Sequence, residues 1–384
     1  MARLEFANAL RGFAALSVVV AHYTGFFFGN ASLIGTMANT PPPPQVASSA
    51  LDAWQTVAHA IPVAGGEFGV ALFFLISGFV IPMSLEKYDW RGFLVGRVMR
   101  IYPTYFAGFT VTLVALWVAG SLFGRPFPFD AGAVIIHYVP GVRDLMWSPH
   151  IDYVVWTLEI EVRFYIVCTL AWIWLQRGER GVFAIPLALG GCAIGIQMLL
   201  PGWFGSNALA YRLGFVFATI ARFLAFMFIG VAFCYHYRGR LGTGSLVTVS
   251  AALLALFWVL WSRATDTLSW EIIRSYTFAL AVFAVSYAFS NRWPPSRLLD
   301  FFADISFPLY VVHGVAGYVA LRIMLAYDVP SVVAFLSALA GALLASWIVH
   351  IAVEVPTHRL GRRWARAMTR RERDSDTPVQ SKAA

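Results

Sequence analysis

The first long apolar segment, residues 7–28, contains two residues that could do chemistry, Arg11 and His22. An imidazole can take a proton from a hydroxyl, and a guanidinium can hold an anion. Eleven helical steps make about three full turns, so the two side chains share one face, about 16 Å apart, with His22 near the membrane midplane. Ionisable groups in a membrane mark functional sites, although His22 could also be a core histidine bonded to a neighbouring helix.

A pair of arginines precedes the third apolar segment. Arg97 and Arg100 are three residues apart and are followed by Ile101-Tyr102-Pro103, so they are neighbours on one helical face. Guanidinium groups bind phosphate oxygens in a bidentate manner, which makes the pair a candidate phosphate site. The alternative is that both are ordinary cationic anchors at the cytoplasmic membrane boundary.

The fourth apolar segment contains two carboxylates and an arginine: Glu159, Glu161 and Arg163. Residues two apart on a helix point about 200° apart, so Glu159 and Glu161 cannot form a catalytic pair. Glu159 and Arg163 have the i,i+4 spacing of an ion pair, so each can neutralise the other. Glu161 then needs a partner on another helix, and His22 or a basic residue is the natural candidate.

Two further segments mix small, aromatic and polar residues. His313 ends the segment that begins at Ser306, and it could line a cavity or form an interhelical hydrogen bond. The small residues of 69–79 suit close helix packing, and Ser77-Gly78 could be a kink beside a ligand. The three cysteines lack the spacing of a metal site or disulfide, so we expect no bound metal.

The composition explains why these ionisable residues stand out. Of 384 residues, 59% are apolar and 12% charged, and the mean hydropathy is +0.69, whereas soluble domains average about 25% charged. The chain is therefore predicted to be an integral membrane protein, which excludes a soluble enzyme, a disordered regulator and a secreted disulfide scaffold. No basic stripe interleaved with aromatic residues lies outside the apolar segments, so we expect no nucleic-acid partner.

The apolar segments and the positions of Lys and Arg predict the topology. Ten segments are long enough to span a membrane, so we expect an all-α polytopic protein. They are residues 7–28, 65–84, 101–122, 151–175, 182–200, 214–236, 243–262, 270–290, 304–326 and 331–354. With the N-terminus inside, 19 of the 28 Lys and Arg residues lie on the inner side and four on the outer side. Both termini are therefore predicted to be cytoplasmic.

The chain divides into a transmembrane domain, residues 1–356, and a basic cytoplasmic tail, residues 357–384. We expect the tail to be disordered or to lie against anionic lipid headgroups. The outer segment 29–64 contains four consecutive prolines, which favour polyproline II. This segment is either a plain connector or a lid over an outward-facing acceptor site.

Taken together, these motifs resemble those of the acyltransferase-3 family of membrane O-acyltransferases, in the same order over residues 4–366. The segment Leu10–His22 resembles the Arg-x10-His signature of that family, and Arg97-x-x-Arg100 resembles its Arg-x-x-Arg signature. Further similar blocks are Phe73–Phe79, Trp156–Tyr165 and Ser306–His313. The chain departs from the family pattern at two positions. Asn8 replaces the usual Asp, and Arg163 replaces a residue that is commonly neutral or acidic.

The resemblance implies an acyltransferase of about ten core helices in the bacterial inner membrane. Acyl-CoA, most simply acetyl-CoA, would enter from the cytoplasm, and the acyl group would pass to a hydroxyl of a saccharide or related acceptor. We expect His22 to be the general base and Glu161 to orient it or stabilise its imidazolium. Arg11, Arg97 and Arg100 would hold the CoA phosphates. A covalent acyl-His22 intermediate is the main variant.

Three residues in the remaining motifs, Ser77, Trp156 and His313, are expected to contact the substrates. The acceptor class stays open between exopolysaccharide, O-antigen, a lipid-linked oligosaccharide and a secondary metabolite, and the oligomeric state is open as well. A secondary transporter with an Arg/His/Glu relay is the rival hypothesis, although it predicts internal repeats and paired broken helices that the sequence does not show. A non-catalytic scaffold explains the ionisable cluster least well.

Overall fold

A computed structural model describes residues 4–44, 66–199, 208–264 and 269–376. These ranges are helical and contain no β-strand. The helices are α1 (Glu5–Ala21), α2 (Ala31–Met37), α3 (Gly66–Leu85), α4 (Trp90–Phe123), α5 (Ala131–His137), α6 (Val155–Leu170), α7 (Trp172–Arg177), α8 (Ala184–Leu199), α9 (Ala208–Tyr237), α10 (Thr243–Ser262), α11 (Ser269–Ala288), α12 (Arg297–Asp304), α13 (Ser306–Val312), α14 (Gly314–Ala326), α15 (Ser331–Val349) and α16 (Val355–Asp376). A π-helical turn, His22–Phe26, and a final turn, Phe27–Gly29, extend α1.

Within the described ranges, seven helical stretches are long and apolar enough to cross a membrane. An eighth is formed by α13 and α14 if this pair, bent by 58°, is counted as one span. The prediction of an all-α polytopic membrane protein is thus confirmed. The other two predicted spans are also helical but do not qualify. Residues 151–175 are divided between the 16-residue α6 and the short α7, and α11 is less apolar because Glu271 and Arg274 lie near its start.

Glycines allow helix α3 to approach its neighbours at backbone distance. A Cβ on Gly69 would lie 2.6 Å from the Ala14 carbonyl oxygen of α1. A Cβ on Gly78 would lie 2.0 Å from the Met227 carbonyl oxygen of α9, and Gly230 is equally close to α3. The small residues of this segment therefore serve close packing, one of the two roles that the sequence suggested, and they hold Ser77 at the centre of the bundle.

Replacing Gly78 with Ala is expected to destabilise the protein by at least about 1–3 kcal/mol, because the new methyl group overlaps backbone that cannot move aside. Gly341→Ala in α15 is the matched control, since its Cβ would meet nothing within 4 Å. Both substitutions raise helix propensity equally, so a comparison of their thermal unfolding midpoints in detergent isolates the contact. Equal midpoints would contradict a close α3–α9 crossing.

The basic C-terminal segment is helical as far as residue 376. Residues 355–376 form α16, which packs along α4, where Gly361 accommodates Met99. Thr369 donates a hydrogen bond to Asp89, the residue that caps the start of α4 (2.7 Å). Helix formation therefore buries one side of a segment whose arginines had suggested only solvent or lipid contact. Residues 377–384 lie outside the described ranges, as do residues 45–64, which make up most of the predicted lid.

Candidate active site

A cleft of about 100 Å³ between α1, α3, α4, α6 and α13 brings together residues that are far apart in the sequence. Its polar lining consists of Arg11, Ser77, Arg97, Arg100, Thr157, Glu161, Ser306 and Tyr310. Five of the eight predicted site residues are in this set. The remaining lining is apolar and includes Phe73 and Phe74 of α3. The cleft thus combines three guanidinium groups, one carboxylate and four hydroxyl groups with an apolar remainder.

Arg11 is held in the cleft by the short helices that follow α11. Its Nη2 donates a hydrogen bond to Ser306 Oγ (3.2 Å), and Ser306 Oγ donates to the Ala303 carbonyl (2.7 Å). The next residue, Gly12, lets α12 approach α1, since a Cβ there would lie 3.1 Å from the Leu299 carbonyl oxygen. The guanidinium is therefore positioned, and most of its donor capacity is left for a ligand.

Glu161 accepts hydrogen bonds from two hydroxyl groups, Ser77 Oγ of α3 (3.2 Å) and Tyr165 of its own helix. The ring of Tyr165 also lies 5.4 Å below the Arg97 guanidinium, whose Nη2 donates to Ser84 Oγ (2.6 Å). The partner that Glu161 required is thus a serine on another helix. The expected His22–Glu161 contact is absent from the hydrogen bonds of the described residues.

His22 lies beyond the end of the cleft, at the start of the π-helical turn. It is the eighteenth of 25 residues in the stretch Glu5–Gly29, nearer the far end than the predicted midplane position. Its Nδ1 is 2.6 Å from the hydroxyl oxygen of Tyr318. A Cβ on Gly66 would come within 3.3 Å of Nε2, so the glycine leaves space beside this nitrogen.

His313 lies at the break between α13 and α14, and its ring centroid is 4.9 Å from that of His22. The Nδ1 of His313 faces two carbonyl oxygens, those of Leu309 (3.0 Å) and Tyr310 (2.8 Å). Because both neighbours only accept, Nδ1 carries the proton and Nε2 has a free lone pair. This buried Nε2 has no hydrogen-bond partner in the described part of the chain. The structure thus pairs two imidazoles that the sequence places 291 residues apart.

Tyr310 separates the cleft from this imidazole pair. Its ring lines the cleft and lies 5.7 Å from the ring of His313. Thr157 Oγ1 donates a hydrogen bond to the Tyr310 hydroxyl (2.7 Å), which in turn donates to the Val154 carbonyl (3.3 Å). A group that entered the cleft would meet Tyr310 before it reached His22.

At its other end the cleft adjoins a second cavity of about 220 Å³, here called the basic vestibule. The two cavities share Val80, Arg97 and Arg100. Lys87 and Arg362 add two cations to the vestibule, and its described lining contains no carboxylate. In the sequence, both residues served only to indicate which segments lie on the inner side of the membrane. The vestibule is the place in this fold where a polyphosphate ligand could be held.

Comparisons with known proteins give the family. The model of the acyltransferase domain family matches residues 4–351, nearly the whole chain. The chain belongs to the acyltransferase-3 family. Nodulation protein 10 of Rhizobium leguminosarum bv. viciae is 25% identical over 269 residues, which cover 64% of this chain and 70% of that protein. No solved structure gives a significant match. The resemblance inferred from the motifs is thereby confirmed, and this is a membrane acyltransferase.

Both departures from the acyltransferase-3 pattern have structural partners. Asn8 Nδ2 donates a hydrogen bond to Asp300 Oδ1 of α12 (3.2 Å), where a second carboxylate would be repelled. Arg163 Nη2 binds Asp144 Oδ1 (2.5 Å) in the loop before α6. Each unusual residue is therefore paired with an acid outside its own helix.

One expectation for α6 of this acyltransferase needs correction, and one of its predicted site residues lies apart from the cleft. The predicted Glu159–Arg163 ion pair is wrong, because the loop after α5 folds over the start of α6. Glu159 instead binds Arg143 of that loop (2.7 Å). Trp156 does not line the cleft, since it faces a third cavity on the opposite side of α6. Helical spacing correctly predicted that Glu159 and Glu161 point in different directions. It could not predict which cavity each of them faces.

Proposed function

We propose that the protein transfers an acyl group, most simply acetyl, from cytoplasmic acyl-CoA to a hydroxyl of a saccharide or related acceptor. The observation that supports the proposal is the order of three features: the basic vestibule, the cleft that adjoins it, and the His22–His313 pair, which the ring of Tyr310 separates from the cleft. An anionic carrier would be held at one end and its reactive group delivered towards the imidazoles at the other. We place the protein in the bacterial inner membrane with both termini cytoplasmic, as its Lys and Arg distribution favours.

The donor half of this proposal rests on charge. CoA carries several phosphate charges, and the vestibule offers Lys87, Arg97, Arg100 and Arg362 without an opposing carboxylate in its described lining. Arginine forks match phosphate oxygens in geometry as well as charge. The apolar walls beside Phe73 and Phe74 suit the uncharged pantetheine arm. Within this scheme, Glu161 positions the cleft through Ser77 and Tyr165, instead of orienting His22 as the sequence suggested.

The acceptor half rests on the imidazole pair. His22 takes the proton of the acceptor hydroxyl while the hydroxyl oxygen attacks the thioester carbonyl carbon. The tetrahedral adduct then expels the CoA thiolate, which receives that proton, and the products are an ester and free CoA. Tyr318 acts as a positioning residue that sets the ring orientation of His22. In the covalent variant, a nitrogen of His22 attacks the thioester carbonyl carbon and expels the CoA thiolate. The acceptor hydroxyl then displaces the imidazole from the acyl group, and the hydroxyl proton goes to the thiolate.

One structural feature favours the rival transporter hypothesis. The bend of 58° between α13 and α14 resembles the discontinuous helices that form transporter binding sites. Transporters of that kind carry such helices in corresponding positions of two repeats, and the described ranges contain a single bent pair of spanning length. The ionisable groups also extend from the basic vestibule into the cleft, as a site for an anionic donor requires.

A transfer assay distinguishes the two functions. The purified protein in proteoliposomes is given acetyl-CoA labelled in the acetyl group together with oligosaccharides released from the envelope of cells that carry the gene. We expect label to appear in the oligosaccharide and to be released by mild alkali, as an O-ester would be. Counterflow of labelled solute without formation of a labelled ester would instead support a transporter and overturn the proposal.

A further inference from the structure

Trp156 faces a cavity that is separate from the cleft and has its own polar and aromatic lining. It has a volume of about 710 Å³ and lies between the loop 139–150 and the first turns of α9. Helix α6 separates it from the cleft, because Trp156 and Glu159 line this cavity, whereas Thr157 and Glu161 line the cleft. It is called the loop-side cavity below, and it lies at the opposite end of the bundle from the basic vestibule.

Four polar atoms in this cavity are buried without a hydrogen-bond partner in the described part of the chain. They are Arg143 Nε, Ser148 Oγ, His150 Nδ1 and Thr219 Oγ1. An unsatisfied buried polar atom costs about 1–3 kcal/mol, so such atoms are normally bonded to water or to a ligand. Four of them around one space indicate an occupant with several hydroxyl or carbonyl groups.

The cavity is also electrically balanced. Arg143 is paired with Glu159 (2.7 Å), and Asp144 is paired with Arg163 (2.5 Å). Burial and the neighbouring Arg143 guanidinium lower the pKa of His150 to about 4, so its imidazole is neutral near pH 7. Among the charged residues of the described lining, none is unpaired, and a further cation beside it is the guanidinium of Arg212, which lies 5.4 Å from the centre of the Trp147 ring. The lining therefore favours a neutral, hydroxyl-rich occupant.

Aromatic faces complete the lining. Trp147, Tyr211 and Phe215 are 43–45% exposed, and the rings of Trp147 and Phe215 are 6.0 Å apart. Binding sites for small organic groups combine such apolar faces with a few oriented polar atoms. The C–H faces of a pyranose ring can lie against aromatic rings while its hydroxyls lie beside the residues that carry the four unpartnered atoms.

Trp147 has a backbone conformation that its side chain does not favour. Its φ is +55°, in the left-handed region, where the turn formed by residues 143–148 would ordinarily end in glycine. Strain of this kind costs of the order of 1–3 kcal/mol and persists where the side chain has a use. The strained backbone presents the indole at the mouth of the cavity.

We infer that the loop-side cavity binds a glycosyl unit of an extended acceptor, at a distance from the hydroxyl that is acylated. This inference rests on the proposed transfer to a saccharide and names where the acceptor chain is held. With the predicted orientation, the cavity faces the outer side of the membrane. It therefore selects oligosaccharides over monosaccharides, because a single sugar cannot occupy both the cavity and the reaction site.

The test compares Trp147→Gly and Ser148→Ala with the unaltered protein. The probe is the short oligosaccharide fraction released by mild acid from the envelope of cells that carry the gene, and its monosaccharides serve as a second probe. Binding is measured by calorimetry without acyl-CoA. We expect Trp147→Gly to weaken oligosaccharide binding about threefold to tenfold and to raise the KM for the acceptor but not for acyl-CoA. The thermal midpoint should stay equal or rise, because glycine favours this φ.

Trp117→Ala, which removes an exposed tryptophan from α4, should leave binding unchanged. Unaltered binding in both cavity variants, equal binding of monosaccharides, or binding of phospholipid in place of the oligosaccharide would overturn the inference. If the unaltered protein binds the oligosaccharide but forms no ester, the proposed function fails and the cavity assignment stands. If the unaltered protein forms the ester, and Trp147→Gly forms it at the same rate, the proposed function stands and the cavity assignment fails.

Discussion

Replacing His22 with Gln is expected to lower the rate of acyl transfer by about 10²–10⁴-fold, the usual contribution of a general base. Glutamine keeps a polar side chain beside Tyr318 and His313 but cannot take a proton from the acceptor hydroxyl. The rate is measured as labelled ester formed by purified protein at saturating acetyl-CoA. Tyr318→Phe, which removes only the hydroxyl that orients the ring, should cause a smaller loss.

His236→Gln is the matched control, because this histidine bonds Tyr287 at a distance from the site. It should retain nearly full activity, and both variants should elute as folded protein in detergent. Near-normal turnover of His22→Gln would remove His22 from the mechanism. Loss of activity in His236→Gln as well would show that any histidine substitution disturbs the fold, and the variant rates would then carry no chemical meaning.

Replacing Arg97 or Arg100 with Ala is expected to weaken CoA binding about tenfold to a hundredfold in each case. A charge-assisted hydrogen bond contributes about 1.5–3 kcal/mol, and both guanidinium groups face the vestibule and the cleft. Calorimetry with free CoA measures the affinity without chemistry. The affinity of the unaltered protein should fall as salt is raised, since the partner is a polyanion.

The neighbouring residues Arg362 and Arg363 provide a matched pair for this prediction. Arg362 lines the vestibule, whereas Arg363 is exposed outside it, and each substitution by Ala removes one charge from the same helix. Arg362→Ala should weaken CoA binding and Arg363→Ala should not. If all four arginine variants bind CoA equally well, Arg97 and Arg100 are topology anchors, the alternative that the sequence left open.

The helices and most of the cleft could be predicted from the sequence because they depend on local rules. Continuous apolar segments gave the helices, and helical spacing directed Glu161 away from Glu159. Arg11, Ser77, Arg97, Arg100 and Glu161 do share one cleft. Arg11 and Glu161 are ionisable groups in apolar segments, which membranes penalise unless such groups have a function. Ser77 stands among small residues that favour close helix packing. Arg97 and Arg100 have the spacing of a phosphate-binding pair.

The partners of these residues could not be predicted, because they come from long-range packing. The nearest local partner for Glu159 was Arg163, yet each binds a residue of the folded loop before α6. His22 was expected to meet Glu161 but contacts Tyr318 and His313, since α13 and α14 bend beside it. Lys87 and Arg362 line one cavity because α16 packs against α4, and this packing could not be predicted from their positions in the sequence.

In the proposed scheme, helix α6 lies between the two substrates. The cleft lies on one face of this helix and the loop-side cavity on the other, so the scheme allows a donor and an extended acceptor to be bound together. Tyr310 lies between the cleft and the imidazole pair. A thioester that entered through the cleft would have to pass this ring to reach His22.

If the proposed function is correct, esterification of a glycan in the cell requires His22. Mass spectrometry of glycans from cells that lack the gene, complemented with the unaltered gene or with His22→Gln, measures this requirement. We expect an alkali-labile acyl group that disappears on deletion, returns with the unaltered gene and does not return with His22→Gln at equal protein level. Restored acylation by His22→Gln, or acylation that deletion leaves unchanged, would contradict it.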